Sequence, residues 1–170
     1  MSADYTDLAR HVLDLACRQG AGQGEVYLID EEELIIEVVN QQVENLKIAQ
    51  DRGLGLRVLA GQRPGYAYTS DLSPAALAKV AESAVKNAAY SQADEHWELP
   101  KPGVAYPRLE LFDAETFSVP LAEKIRLAQN MEEAARAVDP RIKITQKSVY
   151  FDSRYSVNIF NTEGIAASYS

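Results

Sequence analysis

The residues able to do acid–base, nucleophilic or metal chemistry are few and scattered. Hydrolysis or group transfer needs a nucleophile beside a base, a pair of carboxylates, or a metal site. The chain has two histidines, His11 and His96, and one cysteine, Cys17. The histidines stand far apart without a second ligand at metal spacing, and no His-Glu-x-x-His pattern occurs. His11 borders the apolar face of a helical stretch and reads as a structural or surface histidine. His96, beside Asp94, Glu95 and Glu98, has donor types that suit a cation, but the stretch reads as a solvated acidic loop anchored by Trp97. Cys17 has no partner for an internal disulfide and is expected to be a small buried hydrophobe. Gly53 and Gly55 open a strand instead of bridging a strand to a helix, so they form no phosphate cradle. They mark a bulge or a close backbone approach. The expectation is that this chain holds no catalytic, metal-ligating or cofactor-binding residue.

A binding surface is the alternative. Strands with open edges accept an extended peptide as an added strand, with backbone hydrogen bonds giving affinity and side-chain pockets giving selectivity. Arg57, Tyr66 and Tyr68 are the candidates for a peptide or partner surface. A competing expectation packs the tyrosines under the following helix with their hydroxyls at its edge.

The elements that must position these residues follow from hydrophobic period. Leu54, Leu56 and Val58 alternate as a strand, and Arg63-Pro64-Gly65-Tyr66 suits a type II turn, because proline presets φ and glycine accepts positive φ. Tyr66-Ala67-Tyr68-Thr69 is the return strand. Ser73-Pro74 then caps and starts a helix reaching about Ala89, with Leu77, Val80, Ala81, Ala84 and Ala88 as its apolar stripe. Upstream, Tyr5, Leu8, Val12, Leu15 and Ala16 share one helical face before Gly20 and Gly22. Strands are expected at Val26-Tyr27-Leu28-Ile29, Leu34-Ile35-Ile36-Glu37-Val38-Val39 and from Val43 to Ala49, with a charged turn at Asp30-Glu31-Glu32-Glu33 and another at Asn40-Gln41-Gln42. Short connections imply antiparallel neighbours.

Past Ser91 the pattern breaks at Pro100, Pro102, Gly103 and Pro107, a connector too long for a compact domain unless it covers an edge or links two units. A third helix, capped by Ser118, carries Ile125, Ala128, Met131, Ala135 and Val138 until Asp139-Pro140. Strands follow at Ile142-Lys143-Ile144, Ser148-Val149-Tyr150-Phe151 and Val157-Asn158-Ile159-Phe160, with Asp152-Ser153-Arg154 as a turn. Helix, strand, charged turn and strand thus occur twice, and the second copy stops before its hairpin. The fold expected is α+β: a largely antiparallel sheet with helices packed on it, followed by the start of a second similar unit. The divisions are residues 1–93, a connector at 94–117, and residues 118–170 as a truncated second unit of a longer protein.

Charge narrows the partners. With 17 basic against 25 acidic residues the chain carries −8, which disfavours direct binding to nucleic acid. The first twenty residues hold Asp4, Asp7, Arg10, Asp14 and Arg18, leaving no apolar run for a leader or membrane span; a cytoplasmic location is the expectation.

Glu25-Val26-Tyr27, the Asn40 to Glu44 turn, Gly53-Leu54-Gly55-Leu56-Arg57-Val58, Gly65-Tyr66-Ala67-Tyr68-Thr69 and Asp71-Leu72-Ser73 before an alanine-rich helix together resemble the N-terminal domain of the TldD/PmbA proteins. Glu132-x-x-Ala135, Asp139-Pro140-Arg141-Ile142 and Asn161-Thr162-Glu163-Gly164 extend the resemblance across nearly the whole chain, closer to the PmbA (TldE) branch. It implies a subunit of a metalloprotease assembly acting on unfolded or extended peptides, paired as a homo- or heterodimer. In that family the zinc motif belongs to a later part of the TldD chain, and no residue here matches it. A noncatalytic N-terminal domain shaping substrate chamber and subunit contacts is the favoured expectation. The alternatives are part of a zinc metallopeptidase whose metal site lies C-terminal to this chain, and a stand-alone peptide-binding module. The family's other label, modulator of DNA gyrase, fits poorly with direct DNA binding by so acidic a chain.

Overall fold

The computed structural model describes residues 5–103, 106–107 and 109–170; Asp4 and connector positions 104–105 and 108 lie outside them. The elements run α1 (Thr6–Arg18), β1 (Gln23–Val39), β2 (Gln42–Ala60), β3 (Arg63–Thr69), α2 (Pro74–Ala88), α3 (Ala114–Ser118), α4 (Leu121–Ala137), β4 (Ser148–Asn161) and β5 (Ala166–Tyr169). The strands form one antiparallel sheet in the order β3-β2-β1-β4-β5. This is the α+β class that the hydrophobic pattern implies.

Several local expectations are overturned. The acidic run Asp30-Glu33 is no turn: β1 passes through it as a 17-residue strand. Each of three acids there has a partner, Asp30 accepting from the Tyr5 hydroxyl at 2.8 Å, Glu32 from Arg154 at 2.8 Å, and Glu33 facing Lys47 at 3.9 Å. Asp152-Ser153-Arg154 is likewise inside β4. The expected five strands from Val26 to Thr69 are therefore three. The hairpin before β3 turns at Gly61-Gln62, both at positive φ (56° and 63°), which leaves Pro64 and Gly65 inside β3. Ser118 ends α3, donating its hydroxyl to the Glu115 carbonyl, and α4 starts instead behind Pro120. Ile142-Lys143-Ile144 forms no strand. Cys17 is exposed, not buried.

Two compact units emerge. The first gathers residues up to Asp30, Asp51–Leu109 and Tyr155–Ser170; the second gathers Glu31–Gln50 and Glu110–Arg154. In the first, Val26 and Leu28 of β1 and Leu54, Leu56 and Val58 of β2 form the inner sheet face. Ala9, Val12 and Ala16 of α1 and the whole expected stripe of α2 pack on it. Ser73 Oγ accepts from Ala76 N at 3.4 Å with Pro74 in the first turn, as the cap pattern requires. Gly65 is what brings α2 so close: a Cβ there would stand 2.0 Å from the Ala84 carbonyl oxygen.

The second unit has a smaller apolar centre, Leu34, Ile36 and Val38 of β1 with Ala128 of α4, flanked by Ile125 and Tyr150. The face of α4 is not the expected stripe. Met131 and Val138 are exposed, while Lys124 and Glu132 are buried. Burial of those charges is possible because each is matched: Lys124 Nζ donates to Asp152 Oδ2 at 2.6 Å, and Glu132 clamps the β1–β2 turn. Glu132 accepts from the amides of Asn40 (2.9 Å) and Gln41 (2.6 Å), from Arg136 (3.0 Å) and from the Thr145 hydroxyl. Asn40 and Gln41 both take positive φ, 51° and 62°, so the carboxylate holds a backbone that L-residues resist. The Thr145 hydroxyl foremost, with the two amides and Arg136, holds its pKa down at about 2 against the upward push of burial.

Candidate functional site

The first unit's sheet has one face filled by helices and another left for contact. Alternation puts Val26, Leu28, Leu54, Leu56 and Val58 inward, so Glu25, Tyr27, Gly55 and Arg57 point outward. Register completes the surface: Tyr66 pairs with Arg57 and Tyr68 with Gly55 across β2 and β3. Gly65 and Ala67 face α2, which turns Tyr66 and Tyr68 outward. The three residues marked by sequence, Arg57, Tyr66 and Tyr68, are thus brought together on one face.

Tyr66 and Tyr68 are 57% and 76% exposed, so neither packs under α2 as the competing expectation had it. Gly65 takes the buried position because the helix lies too near for a ring, and half-buried Ala67 packs on the same side. The two rings stack at 6.3 Å between centroids and 28° between planes. Gly55 is neither bulge nor backbone contact: the space a side chain would occupy holds the Tyr66 hydroxyl, 2.8 Å from a would-be Cβ. Gly53 makes only ordinary contact with the Thr69 carbonyl.

Arg57 is fixed rather than free. Its Nη2 donates to Glu25 Oε1 at 2.6 Å and its guanidinium lies 5.5 Å from the centre of the Trp97 ring. Trp97 belongs to the loop after α2, which therefore covers part of this face. Gln23 accepts from Leu99 N at 3.1 Å, and Asn161 donates to the Pro100 carbonyl at 2.8 Å, pinning that loop down. A depression of about 710 Å³ lies between the Gly61-Gln62 turn and the loop from Gln92 to Trp97, with Asp94, Glu95 and His96 on its wall. Sequence reasoning missed Glu25, Tyr27 and Trp97 as members of this surface. The alternation about Val26 and Leu28 carries the sign for the first two; nothing local points Trp97 at Arg57.

The geometry also decides how this surface can bind. β3 is an edge strand, but Asn87 Nδ2 of α2 donates to the Tyr66 carbonyl at 2.8 Å, so Tyr66 turns its backbone to the free edge. Pro64, two residues before, faces the same way and has no N–H to give. Strand addition along β3 is blunted, leaving the aromatic face as the accessible feature.

No metal site is formed by these residues. His96 is exposed with Glu95 3.8 Å away, His11 is exposed on α1, and among the described residues no group of three or more His, Cys, Asp or Glu is placed to hold an ion. The donor set does not fit zinc. Among the described residues no helix is long and apolar enough to cross a membrane.

The chain matches the description PmbA/TldA metallopeptidase domain 1 over residues 24–88 and the central domain of the same proteins over residues 115–170. A metalloprotease PmbA homolog of Haemophilus influenzae is 34% identical over 161 residues, covering 92% of this chain and 35% of its own. Metalloprotease PmbA of Escherichia coli O157:H7 is 36% identical over 135 residues, 75% of this chain and 29% of its own. The chain spans about a third of the length of these relatives. A crystal structure from Bacteroides thetaiotaomicron, of a protein described as a candidate modulator of DNA gyrase, shares the fold with a TM-score of 0.87 at 24% identity, covering 99% of this chain and 39% of that one.

Proposed function

The chain belongs to the PmbA/TldD metallopeptidase family, and from that premise we propose that it is a noncatalytic N-terminal part of a PmbA-like subunit, shaping the substrate chamber and subunit contacts for proteolysis of extended peptides. The observation that carries this reading is the outward face of the first unit, where Tyr66, Tyr68 and the braced Arg57 stand on a sheet whose other side is filled by α1 and α2. Paired, rigid aromatic rings offer contact area at little entropic cost and suit chains of varied sequence. Catalysis and zinc would then be supplied by other parts of the assembly, with a TldD/PmbA-type subunit as partner. Nothing in the arrangement calls for nucleic acid, and a cytoplasmic site of action fits this role.

The test is a titration of labelled unfolded peptides into the chain, read through Trp97, its one tryptophan. Saturable binding that falls at least tenfold in Tyr66→Ala/Tyr68→Ala supports the surface; no saturable signal refutes it. Peptidase activity of this chain alone, lost on adding a chelator, would overturn the noncatalytic assignment and favour the reading as part of a zinc enzyme.

A further inference from the structure

The depression beside the Gly61-Gln62 turn adjoins the outward row of β3. Gly65 and Ala67 face α2, so Pro64, Tyr66 and Tyr68 share the other side of the strand, and Pro64 also lines the depression. The cavity is therefore the end of the aromatic row. Its wall joins the indole of Trp97 to two carboxylates, Asp94 and Glu95. Trp97 is 40% exposed and already carries a guanidinium, that of Arg57, 5.5 Å from its ring centre.

The two carboxylates are not matched by a lysine or arginine of the chain. Asp94 accepts from the His96 amide at 2.9 Å and pairs with no Lys or Arg among the described residues. The ion-pair neighbour of Glu95 is His96, 3.8 Å away, with both side chains exposed. Arg57 is held by Glu25 at 2.6 Å, and Arg63, beside the turn, donates to the Ser91 carbonyl, so neither turns to these acids. Solvated carboxylates by themselves would only bias the local charge. The ring beside them adds an attraction that a cation alone gains, and a space of about 710 Å³ leaves room for a side chain to reach both.

We infer that this depression is the subsite for a basic side chain, Lys or Arg, of an extended peptide whose apolar side chains lie on Tyr66 and Tyr68. Charge complementarity selects that occupant, and the strand repeat sets its spacing. Pro64, Tyr66 and Tyr68 follow one another every second residue, so the row from the depression to Tyr68 is about 13 Å long. An extended peptide has the same repeat. A basic residue seated at Trp97 therefore brings the residues two and four positions away over the two tyrosines. The blunted edge of β3 leaves side chains, and not added backbone pairing, to carry the selectivity. The inference rests on the peptide-binding reading of this face and adds to it the class of peptide preferred.

Anisotropy titrations of the chain with labelled peptides built on Arg-Ser-Leu-Ser-Leu, and on the same residues in reverse order, test this. Each is compared with its citrulline form, which keeps the shape and loses the charge, and with its Glu form. In the tighter direction Arg is expected to bind about fivefold more tightly than citrulline and at least tenfold more tightly than Glu, the first ratio shrinking as salt rises from about 0.05 to about 0.5 M. Asp94→Asn/Glu95→Gln, which keeps the size of both side chains, should erase the preference for Arg over citrulline. Glu44→Gln/Glu133→Gln, an equal change of charge on exposed residues of the second unit, should retain it. Equal binding of the Arg and citrulline forms overturns the subsite and leaves the aromatic surface standing. A preference that survives Asp94→Asn/Glu95→Gln, or that the second-unit control removes as fully, also overturns it, since the overall charge of −8 would then be its source. If no form binds saturably, the peptide-binding reading fails and the subsite falls with it.

Discussion

Replacing Gly65 with alanine should cost the first unit about 3 kcal/mol. A Cβ at Gly65 would lie 2.0 Å from the Ala84 carbonyl oxygen, 2.7 Å from Ala88 N and 2.9 Å from Ala88 Cβ, so two of the three obstacles are helix backbone. To reach even a 3.0 Å contact α2 must withdraw by about 1 Å. A radial gap of that size forfeits roughly a quarter to a half of each contact across it. The stripe at stake is Leu77, Val80, Ala81, Ala84 and Ala88, all buried. At about 2 kcal/mol each for leucine and valine and about 0.8 kcal/mol for each alanine methyl, it is worth about 6 to 7 kcal/mol. Losing up to half gives about 3 kcal/mol, the upper part of the range for overpacked sites.

The assay is denaturant unfolding followed by Trp97 fluorescence, which reports on the first unit. Gly103→Ala is the matched control, since a Cβ there meets nothing within 4 Å, and it should change stability by less than about 1 kcal/mol in either direction. Adding Ala88→Gly to Gly65→Ala removes one methyl but leaves the Ala84 oxygen in place, so the double variant should stay destabilised. Gly65→Ala within about 1 kcal/mol of the parent, or full rescue by Ala88→Gly, would refute the backbone-contact argument.

The second unit should respond to acid through Glu132: its folded pKa, about 2, lies below the ordinary 4.5, so its contribution is complete above pH 4.5 and lost as pH falls through 2. Thermal unfolding of Glu132→Gln against the parent should therefore show a gap that is constant from pH 7 to 5 and closes towards pH 2. Lys124→Ala leaves Asp152 buried with only the Tyr150 hydroxyl, and should cost about 3 to 5 kcal/mol in urea unfolding, most of it recovered by pairing Lys124→Met with Asp152→Leu. Tyr150, the one tyrosine of the second unit, is pushed up to about 12 by burial first and by Asp152 next, so an ultraviolet pH titration of Tyr150→Phe against the parent should lose an absorbance step near pH 12. Cys17 should react with a maleimide in the folded chain, more slowly than a free thiol at pH 8 because desolvation and Asp14 raise its pKa.

What the sequence makes legible is what depends on neighbours within a few residues. The α2 stripe is a helical period with a Ser-Pro start, and all five of its expected residues are buried. The alternation of Leu54, Leu56 and Val58 places Arg57 outward, but the pairing of Tyr66 with Arg57 is not legible, because the turn sits three residues earlier than proline and glycine suggest and the expected one would set Tyr66 opposite Arg63. Proline and glycine at 64 and 65 have tertiary reasons instead: one blunts an edge and the other admits a helix. Those reasons are invisible locally, because α2 arrives from beyond the turn.

The same distance in sequence hides the meaning of the charges. Four consecutive acids at Asp30-Glu33 resemble a solvated turn until Tyr5, Lys47 and Arg154 are supplied from elsewhere. Lys124 and Glu132 break the apolar stripe of α4 for the same reason, since each is buried against a partner more than twenty residues away in sequence or against a turn that needs it. Removing one such partner should therefore cost far more than removing an exposed charge of the same type. Arg10, paired on the surface with Asp7 three residues away, supplies the comparison: Arg10→Ala should shift the urea midpoint by less than a tenth of the shift in Lys124→Ala. Equal shifts would mean that the buried pair carries no more than a surface one, and the account of how β1 and β4 tolerate their acidic residues would fail with it.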